Sequence, residues 1–242
     1  MLAVEIKNLT KKYKALTAVD NLSLDIEQGE LLSLLGINGA GKTTTVKMLS
    51  CLAAPTSGDA KILGKSIISE SAAVKSVIAV SPQETAIAKG LTALENLKLI
   101  AGVHGFSKEK QQKKIEELSS LLGLSEILPR RAGKLSGGWQ RRLSIAMALI
   151  SEPKILFLDE PTLGLDVIAR SELWDIIRAL RGKVTVILTT HYMEEAESLS
   201  DRVAIMKDGK LITVGTPDEI KAAAGTESFE QAFIHVVKGA SK

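Results

Sequence analysis

GINGAGKTT, residues 36–44, directly follows an apolar run, GELLSLL, at residues 29–35. The stretch fits the pattern G-x-x-x-x-G-K-[ST], in which glycines let the backbone curl so that several N–H groups face phosphate oxygens. The apolar run predicts a buried strand, and TTTVKMLSCL at 43–52 predicts the helix that follows. A strand, a glycine turn and a helix in this order predict a phosphate-binding loop, the P-loop, at residues 36–43.

Two side chains at the end of this loop suit nucleotide chemistry. Lys42 can reach the β- and γ-phosphates, and the hydroxyl of Thr43 can hold Mg²⁺. We therefore expect ATP and Mg²⁺ as ligands. The loop residues expected to bind the nucleotide are Gly36, Ile37, Asn38, Gly39, Ala40, Gly41, Lys42, Thr43 and Thr44.

A second candidate site follows a later apolar strand, KILFLD at 154–159. Asp159 and Glu160 would lie at the carboxyl end of that strand, the edge at which open α/β sheets bind ligands. Asp159 could then join the Mg²⁺ shell, and Glu160 could act as general base toward the attacking water. Taken alone, the two carboxylates could instead cap the turn that follows.

A second glycine turn, LSGG at residues 135–138, precedes the predicted helix WQRRLSIAMALIS at 139–151. The N–H groups of Ser136, Gly137 and Gly138 would form another anion site. One nucleotide needs only one such site within a chain. The turn makes sense if it closes on ATP held by another copy, so that two chains arranged head to tail bury two ATP molecules. As a fragment, Ser136 could also be a simple helix cap.

Strand and helix patterns alternate along most of the chain and predict a largely parallel sheet. We expect an α/β P-loop NTPase with a mixed sheet core, an N-terminal antiparallel β region and an inserted helical subdomain. Residues 1–242 would form one nucleotide-binding domain. Residues 1–88 and 152–215 would be the ATPase core, 89–151 the helical subdomain, and 216–242 a short helical extension. Predicted strands include 3–9, 22–27, KILG at 61–64, 76–83, 184–190 and a hairpin at 202–215.

Composition excludes some classes of function. The net charge is +3 and aromatic residues make up 3% of the chain, which argues against nucleic-acid binding. The single cysteine, Cys51, fits a reducing compartment. No stretch reaches the roughly 18 apolar residues that a membrane-spanning helix needs, so we expect another chain to cross any membrane involved.

The motifs together resemble those of the ATP-binding subunit of ABC transporters, from about Val4 to about Gly215. In chain order they are Tyr13, the P-loop at 36–43, Gln83 in VSPQE, LSGG at 135–138, ILFLDEP at 155–161, LGLD at 163–166 and His191. A partial departure lies after LSGG, where Trp139 replaces the glutamine common in that family. Because backbone groups make the expected contacts, we expect function to survive this change.

The resemblance implies a role for each matching residue. Tyr13 would stack on adenine, Gln83 would touch Mg²⁺, and His191 would contact the γ-phosphate. Across the dimer, Ser136, Gly137 and Gly138 would meet the partner's nucleotide, and Asp166 would lie near the partner's P-loop. The expected catalytic residues are Lys42, Glu160 and His191, and the expected metal ligands are Thr43, Gln83 and Asp159.

The resemblance also implies partners and a location. We expect an ATPase that pairs with a second ATP-binding subunit, as a homodimer, and with a separate multi-span membrane subunit on the inner, cytoplasmic face of the cell membrane. THYMEEAE at 190–197 and the ending SFEQAFIHVV resemble the branch that exports drugs, antibiotics, lipids or polysaccharides. The alternatives are a non-transport ABC ATPase, acting on ribosomes or in iron–sulfur assembly, and a DNA-repair or chromosome ATPase, which the lack of sustained heptads disfavours.

Overall fold

The structure is a computed structural model and describes residues 1–239. The strands are β1 Leu2–Tyr13, β2 Leu16–Glu27, β3 Leu31–Leu35, β4 Ser57–Ile62, β5 Lys65–Ser66, β6 Ile78–Ser81, β7 Ile155–Asp159, β8 Thr185–Thr190, β9 Arg202–Lys207 and β10 Lys210–Gly215. The helices are α1 Lys42–Leu49, α2 Ser71–Lys75, α3 Ala93–Val103, α4 Lys108–Leu122, α5 Gly137–Leu149, α6 Val167–Leu180, α7 Met193–Leu199, α8 Pro217–Ala224 and α9 Phe229–Gly239.

The strands form two sheets. The central sheet has the order β10-β9-β3-β8-β7-β6, and its strands are parallel except for β10, which pairs antiparallel with β9. The second sheet, β2-β1-β4-β5, is antiparallel throughout. This mixed core with an antiparallel N-terminal region confirms the predicted fold class.

The central sheet is covered on both faces because its side chains alternate along each strand. Leu156 and Leu158 of β7 belong to an apolar cluster that includes side chains of α3 to α6. Ile155 and Phe157 of the same strand belong to a second cluster with α1 and the antiparallel sheet. The carboxyl ends of β3, β7 and β8 therefore share one edge between these layers. The boundaries proposed for the helical subdomain and the C-terminal extension stay a prediction.

Several element limits differ from the sequence expectations. The strands expected at 3–9 and 22–27 extend to twelve residues each, because their pairing continues through irregularities at Asn8 and Asn21, which have φ of 49° and 51°. The helix expected to reach residue 52 ends at Leu49, since Cys51 adopts a φ of 57°. Short helices such as α7 were not predicted.

Two further strand expectations shift. The strand expected in KILG at 61–64 ends at Ile62, because Leu63 and Gly64 form a turn with positive φ. The strand expected at 76–83 is confined to β6. The hairpin at 202–215 is confirmed, with Asp208 and Gly209 at φ of 49° and 80°, as an Asp-Gly turn requires.

Candidate functional site

The P-loop joins β3 to α1 and depends on glycine at two positions. A Cβ atom at Gly36 would lie 2.4 Å from the carbonyl oxygen of Met206. One at Gly41 would lie 2.5 Å from the carbonyl oxygen of Ala18, and Gly41 also has a φ of 101°. Larger residues would push the loop away from the strands that support it. The amino end of α1 consequently opens directly onto the loop, as anion binding requires.

Lys42 is the first residue of α1 and is only 5% exposed. Its Nζ donates to the carbonyl oxygen of Gly36 at 2.6 Å and to that of Ile37 at 3.3 Å. The same nitrogen lies 3.4 Å from Oε1 of Glu160. The loop backbone therefore fixes a buried positive charge beside a buried carboxylate.

Asp159, the last residue of β7, accepts hydrogen bonds from two threonines. The Thr43 hydroxyl donates to its Oδ1 at 3.1 Å, and the Thr189 hydroxyl of β8 donates to the same oxygen at 2.5 Å. A hydroxyl and a carboxylate side by side are hard oxygen ligands, which Mg²⁺ prefers alongside substrate phosphates. The donor set thus fits the metal expected from the sequence.

Glu160 and His191 are brought together although 31 positions separate them. Oε2 of Glu160 lies 2.8 Å from Nδ1 of His191. Glu160 adopts a φ of 48°, and its N–H donates to the hydroxyl and carbonyl oxygens of Thr189. Because the neighbouring strand holds its backbone, the Glu160 carboxylate is directed at the site by a conformation that few non-glycine residues adopt.

A cleft of about 650 Å³ lies over these residues. Its walls include residues 38–43 of the P-loop together with Tyr13, Gln83, Glu160 and His191. Tyr13 is 46% exposed, so its ring is available to a flat ligand. The cleft accordingly combines hydrogen-bond donors for phosphate oxygens, a carboxylate that can act as base and an exposed aromatic ring. A nucleoside triphosphate requires these three kinds of group.

The signature turn, residues 135–138, lies apart from this cleft. Ser136 is exposed at the start of α5, and its side chain makes no capping hydrogen bond to the helix. None of residues 135–138 lines the cleft of the same chain. Asp166 is likewise outside the cleft, where its Oδ1 accepts from the N–H of Ala169 at the start of α6. The structure therefore does not bring the expected trans-acting residues to the chain's own P-loop.

Glu195 on α7 was missed by the sequence analysis. It is fully buried, and its Oε1 accepts from the hydroxyl of Thr162 at 2.8 Å and from Nε1 of Trp174 at 3.1 Å. Burial raises the pKa of the Glu195 carboxyl, and the nearby charge of Glu160 adds to the rise. The contacts fix the segment after Glu160 against α6 and α7, and no sequence pattern pointed to them.

The family model described as ABC transporter matches residues 19–163, which span the P-loop, the signature turn and the strand that carries Asp159. This chain belongs to the ABC transporter family. It is an ATP-binding, ATP-hydrolysing cassette of the transporter type, and the non-transport alternative is not supported.

Curated relatives of this ABC cassette include daunorubicin/doxorubicin resistance ATP-binding protein DrrA of Streptomyces peucetius. The two are 40% identical over 225 residues, which cover 93% of this chain and 68% of that protein. A probable multidrug ABC transporter ATP-binding protein, YbhF of Escherichia coli, is also 40% identical, over 97% of this chain but only 41% of its own length. The chain therefore spans less than half of the second relative.

A solved dimeric ATP-binding cassette in a post-hydrolysis state, bound to ADP and Pi, has the same fold. It matches with a TM-score of 0.79 and 29% identity, covering 88% of this chain and 98% of that one. The similarity supports ATP hydrolysis by this cassette and its capacity to dimerise.

Trp139, the departure within the family signature, is half-buried against the cluster shared by α3 to α6. The guanidinium carbon of Arg142 lies 4.6 Å from the centre of its ring, and Arg142 also pairs with Glu172 of α6. Trp139 therefore packs within its own chain, at the base of the signature turn.

Proposed function

We propose that this chain powers export of a drug-like cargo through a separate membrane subunit, acting as a head-to-tail dimer at the inner face of the membrane. Two observations support the transport role: the motifs of the family and the names of the drug-resistance and multidrug relatives. The observation that carries the mechanism is the separation of sites. Lys42, Glu160 and His191 meet at one cleft, whereas Ser136 is exposed elsewhere on the chain.

In the proposed mechanism the P-loop binds the phosphates of ATP and Tyr13 stacks on the base. Lys42 exchanges its loop carbonyls for phosphate oxygens, which offer a stronger, charge-assisted hydrogen bond. Bound Mg²⁺ would neutralise charge on the β- and γ-phosphates, with Thr43, Asp159 and Gln83 as its protein ligands. Ser136, Gly137 and Gly138 of a second chain then close on the γ-phosphate, and Asp166 lies at the seam.

Glu160 is the proposed general base. Its carboxylate takes a proton from the attacking water, while Nδ1 of His191, 2.8 Å away, keeps that carboxylate oriented. Release of the γ-phosphate removes the ligand that the partner's signature turn binds, so the dimer reopens. The cycle of closing and opening is the motion that would drive the membrane subunit.

Helix α3 offers an exposed apolar surface for that subunit. Leu99 and Val103, one turn apart on α3, are 50% and 75% exposed. Two neighbouring apolar side chains on one helix face favour contact with another protein surface more than a single exposed residue does. We assign this face and Gln83 to the membrane subunit.

The experiment that tests the transport role is purification of the tagged chain from detergent-solubilised native membranes. We expect a stoichiometric multi-span membrane protein to co-purify. A variant with both Leu99→Asp and Val103→Asp should lose that protein while retaining ATP hydrolysis. Ile68→Asp, which places one such charge on an exposed apolar residue outside α3, is the control.

Two results would contradict the proposal. One is recovery of the wild-type chain with ribosomes or assembly factors and with no membrane protein. The other is equal retention of the membrane protein by the α3 double variant and by Ile68→Asp, which would remove α3 from the contact surface.

A further inference from the structure

Arg141 lies on α5, one turn beyond the signature turn, and its side chain points inward. The residue is only 5% exposed. Its Nη1 donates to the carbonyl oxygen of Pro82 and its Nη2 to that of Gln83, both at 2.6 Å. The planar guanidinium thus binds the carbonyl oxygens of two consecutive residues, the second of which, Gln83, is expected to contact Mg²⁺.

A second contact joins the same face of α5 to the same segment. Oγ of Ser144 lies 3.0 Å from Oγ of Ser81, the last residue of β6, and both are buried. Residues three apart on a helix lie on one face, so Arg141 and Ser144 act together. They hold three consecutive residues, Ser81, Pro82 and Gln83.

The Arg141 contact places a buried positive charge against backbone oxygens. Among residues 1–239 Arg141 forms no ion pair, and its hydrogen bonds go to carbonyl oxygens. Burial lowers the pKa of Arg141, although the carboxylates of Asp159 and Glu195 attract its charge from beyond ion-pair distance. An apolar side chain of similar volume would avoid the desolvation cost of a buried charge. Compared with such an apolar side chain, arginine adds two directed hydrogen bonds.

The opposite end of the same loop is held independently of α5. Asn96 of α3 is fully buried, accepts from the N–H of Ala88 at 2.8 Å and donates to its carbonyl oxygen at 3.1 Å. The loop that begins at Gln83 is therefore fixed to α3 at one end and to α5 at the other. The α5 end connects to the helix that follows the signature turn, whereas beyond the Ala88 end Lys89 accepts at its carbonyl oxygen from the N–H of Gly133, in the segment that precedes the turn.

We propose that Arg141 is a positioning residue that couples the signature turn to Gln83. Ser136 occupies the N-cap position of α5, five residues before Arg141, a distance of about 7.5 Å along a helix. A rigid first turn would move as one body with the guanidinium. When a partner's nucleotide orders Ser136, Arg141 fixes Gln83 at this chain's own cleft, so each ATP site senses the other. The inference rests on the proposed roles of Gln83 and the signature turn.

The test compares Arg141→Met and Arg141→Lys with Arg142→Met in the full chain. Arg142 is the matched control because it is the adjacent arginine of the same helix, but its guanidinium meets a carboxylate of α6. ATP affinity, kcat and amide hydrogen exchange at residues 83–88 are measured for each variant, together with the melting temperature. Gln83→Ala is measured in parallel.

We expect Arg141→Met to bind ATP within about 3-fold of wild type while kcat falls about 10- to 30-fold, as for a misplaced active-site group. Amide exchange at 83–88 should accelerate about 10-fold or more, and MgATP should no longer slow it. Arg141→Lys, which can still donate to a carbonyl, should fall between. Arg142→Met should keep kcat within about 3-fold, as expected of a residue outside the site.

The inference is wrong if Gln83→Ala lowers kcat but Arg141→Met does not, or if Arg141→Met and Arg142→Met lower it equally. It is also wrong if Arg141→Met loses activity while exchange at 83–88 is unchanged. If Arg141→Met fails to fold, the same readouts on Arg141→Lys decide. An unchanged kcat in Gln83→Ala would instead overturn the proposed role of Gln83.

Discussion

The P-loop and the signature turn are both glycine turns that open a helix, yet they have opposite surroundings. The P-loop is surrounded by its own chain: Lys42 is buried, and Glu160 and His191 line the same cleft. The signature turn presents an exposed Ser136 whose side chain binds nothing within the helix. A helix amino end with no internal partner is a site for an outside anion. The P-loop therefore completes a site within its own chain, whereas the signature turn is half of a site.

The largest expected effect comes from removing the charge of the P-loop. Lys42→Ala should lower ATP hydrolysis by at least about 10³-fold, because the charge on the transferred phosphoryl group loses its buried cation. Phosphate release assays on the purified chain give the measurement. Lys47→Ala, an exposed lysine of the same helix, is the matched control and should remain near wild type. Equal activity in the two variants would remove Lys42 from the site.

The next effect separates binding from chemistry in the same cleft. Glu160→Gln should lower kcat by about 10²- to 10³-fold, because the amide cannot accept the proton of water. ATP binding should persist, so an ATP-bound dimer should accumulate, as measured by light scattering with gel filtration. Near-normal turnover, or an ATP-bound chain that stays monomeric, would exclude Glu160 as the base that limits dimer opening.

A substitution in the signature turn should impair dimerisation and leave ATP binding by the single chain intact. Ser136→Glu places a negative charge at the amino end of α5, which the helix dipole tolerates, but against the γ-phosphate of a partner. We expect ATP binding to one chain to stay within about 3-fold of wild type, while dimerisation is lost and kcat falls about 10²-fold.

The control for that substitution is Ser136→Thr, which retains the hydroxyl and should retain most activity. The comparison between the two turns breaks down if Ser136→Glu weakens ATP binding to the single chain as strongly as Lys42→Ala does. It also breaks down if Ser136→Glu still dimerises with ATP.

The smallest expected effect lies at the rim of the cleft. Tyr13→Ala should raise the KM for ATP about 5- to 10-fold with little change in kcat, because a stacking ring supports binding rather than proton transfer. Tyr13→Phe retains the ring and should match wild type. A fall in kcat without a change in KM would show that Tyr13 does not act by stacking on adenine.

Local patterns revealed much of this architecture and of the candidate site. Three features are formed by residues that are close together in the sequence and can therefore be predicted from it. They are the G-x-x-x-x-G-K-[ST] stretch, the strand that ends in Asp159 and the Asp-Gly hairpin. The roles of the expected site residues stay predictions, although the structure brings Lys42, Glu160 and His191 together.

The rest depends on contacts between distant positions. Arg141 meets carbonyl oxygens 58 and 59 positions earlier in the chain, and an arginine within RR gives no sign of which one turns inward. Glu195 lies in an acidic run, MEE, where a solvent-exposed side chain is the ordinary expectation. In β1 and β2, Asn8 and Asn21 have positive φ and interrupt the alternation of apolar and polar residues by which strands are recognised in a sequence.

A cross-link between the P-loop of one chain and the signature turn of another tests the head-to-tail dimer most directly. Cys51→Ser removes the single cysteine, and one chain then carries Asn38→Cys while another, differently tagged, carries Ser136→Cys. With Mg²⁺ and a slowly hydrolysed ATP analogue, a short thiol cross-linker should give a covalent mixed dimer. The control pair, Asn38→Cys with exposed Glu109→Cys, should give none. Failure of the Ser136 pair to react between chains would contradict the head-to-tail dimer. A single chain that carries both Asn38→Cys and Ser136→Cys is tested in parallel, and a cross-link formed within that chain would contradict it as well.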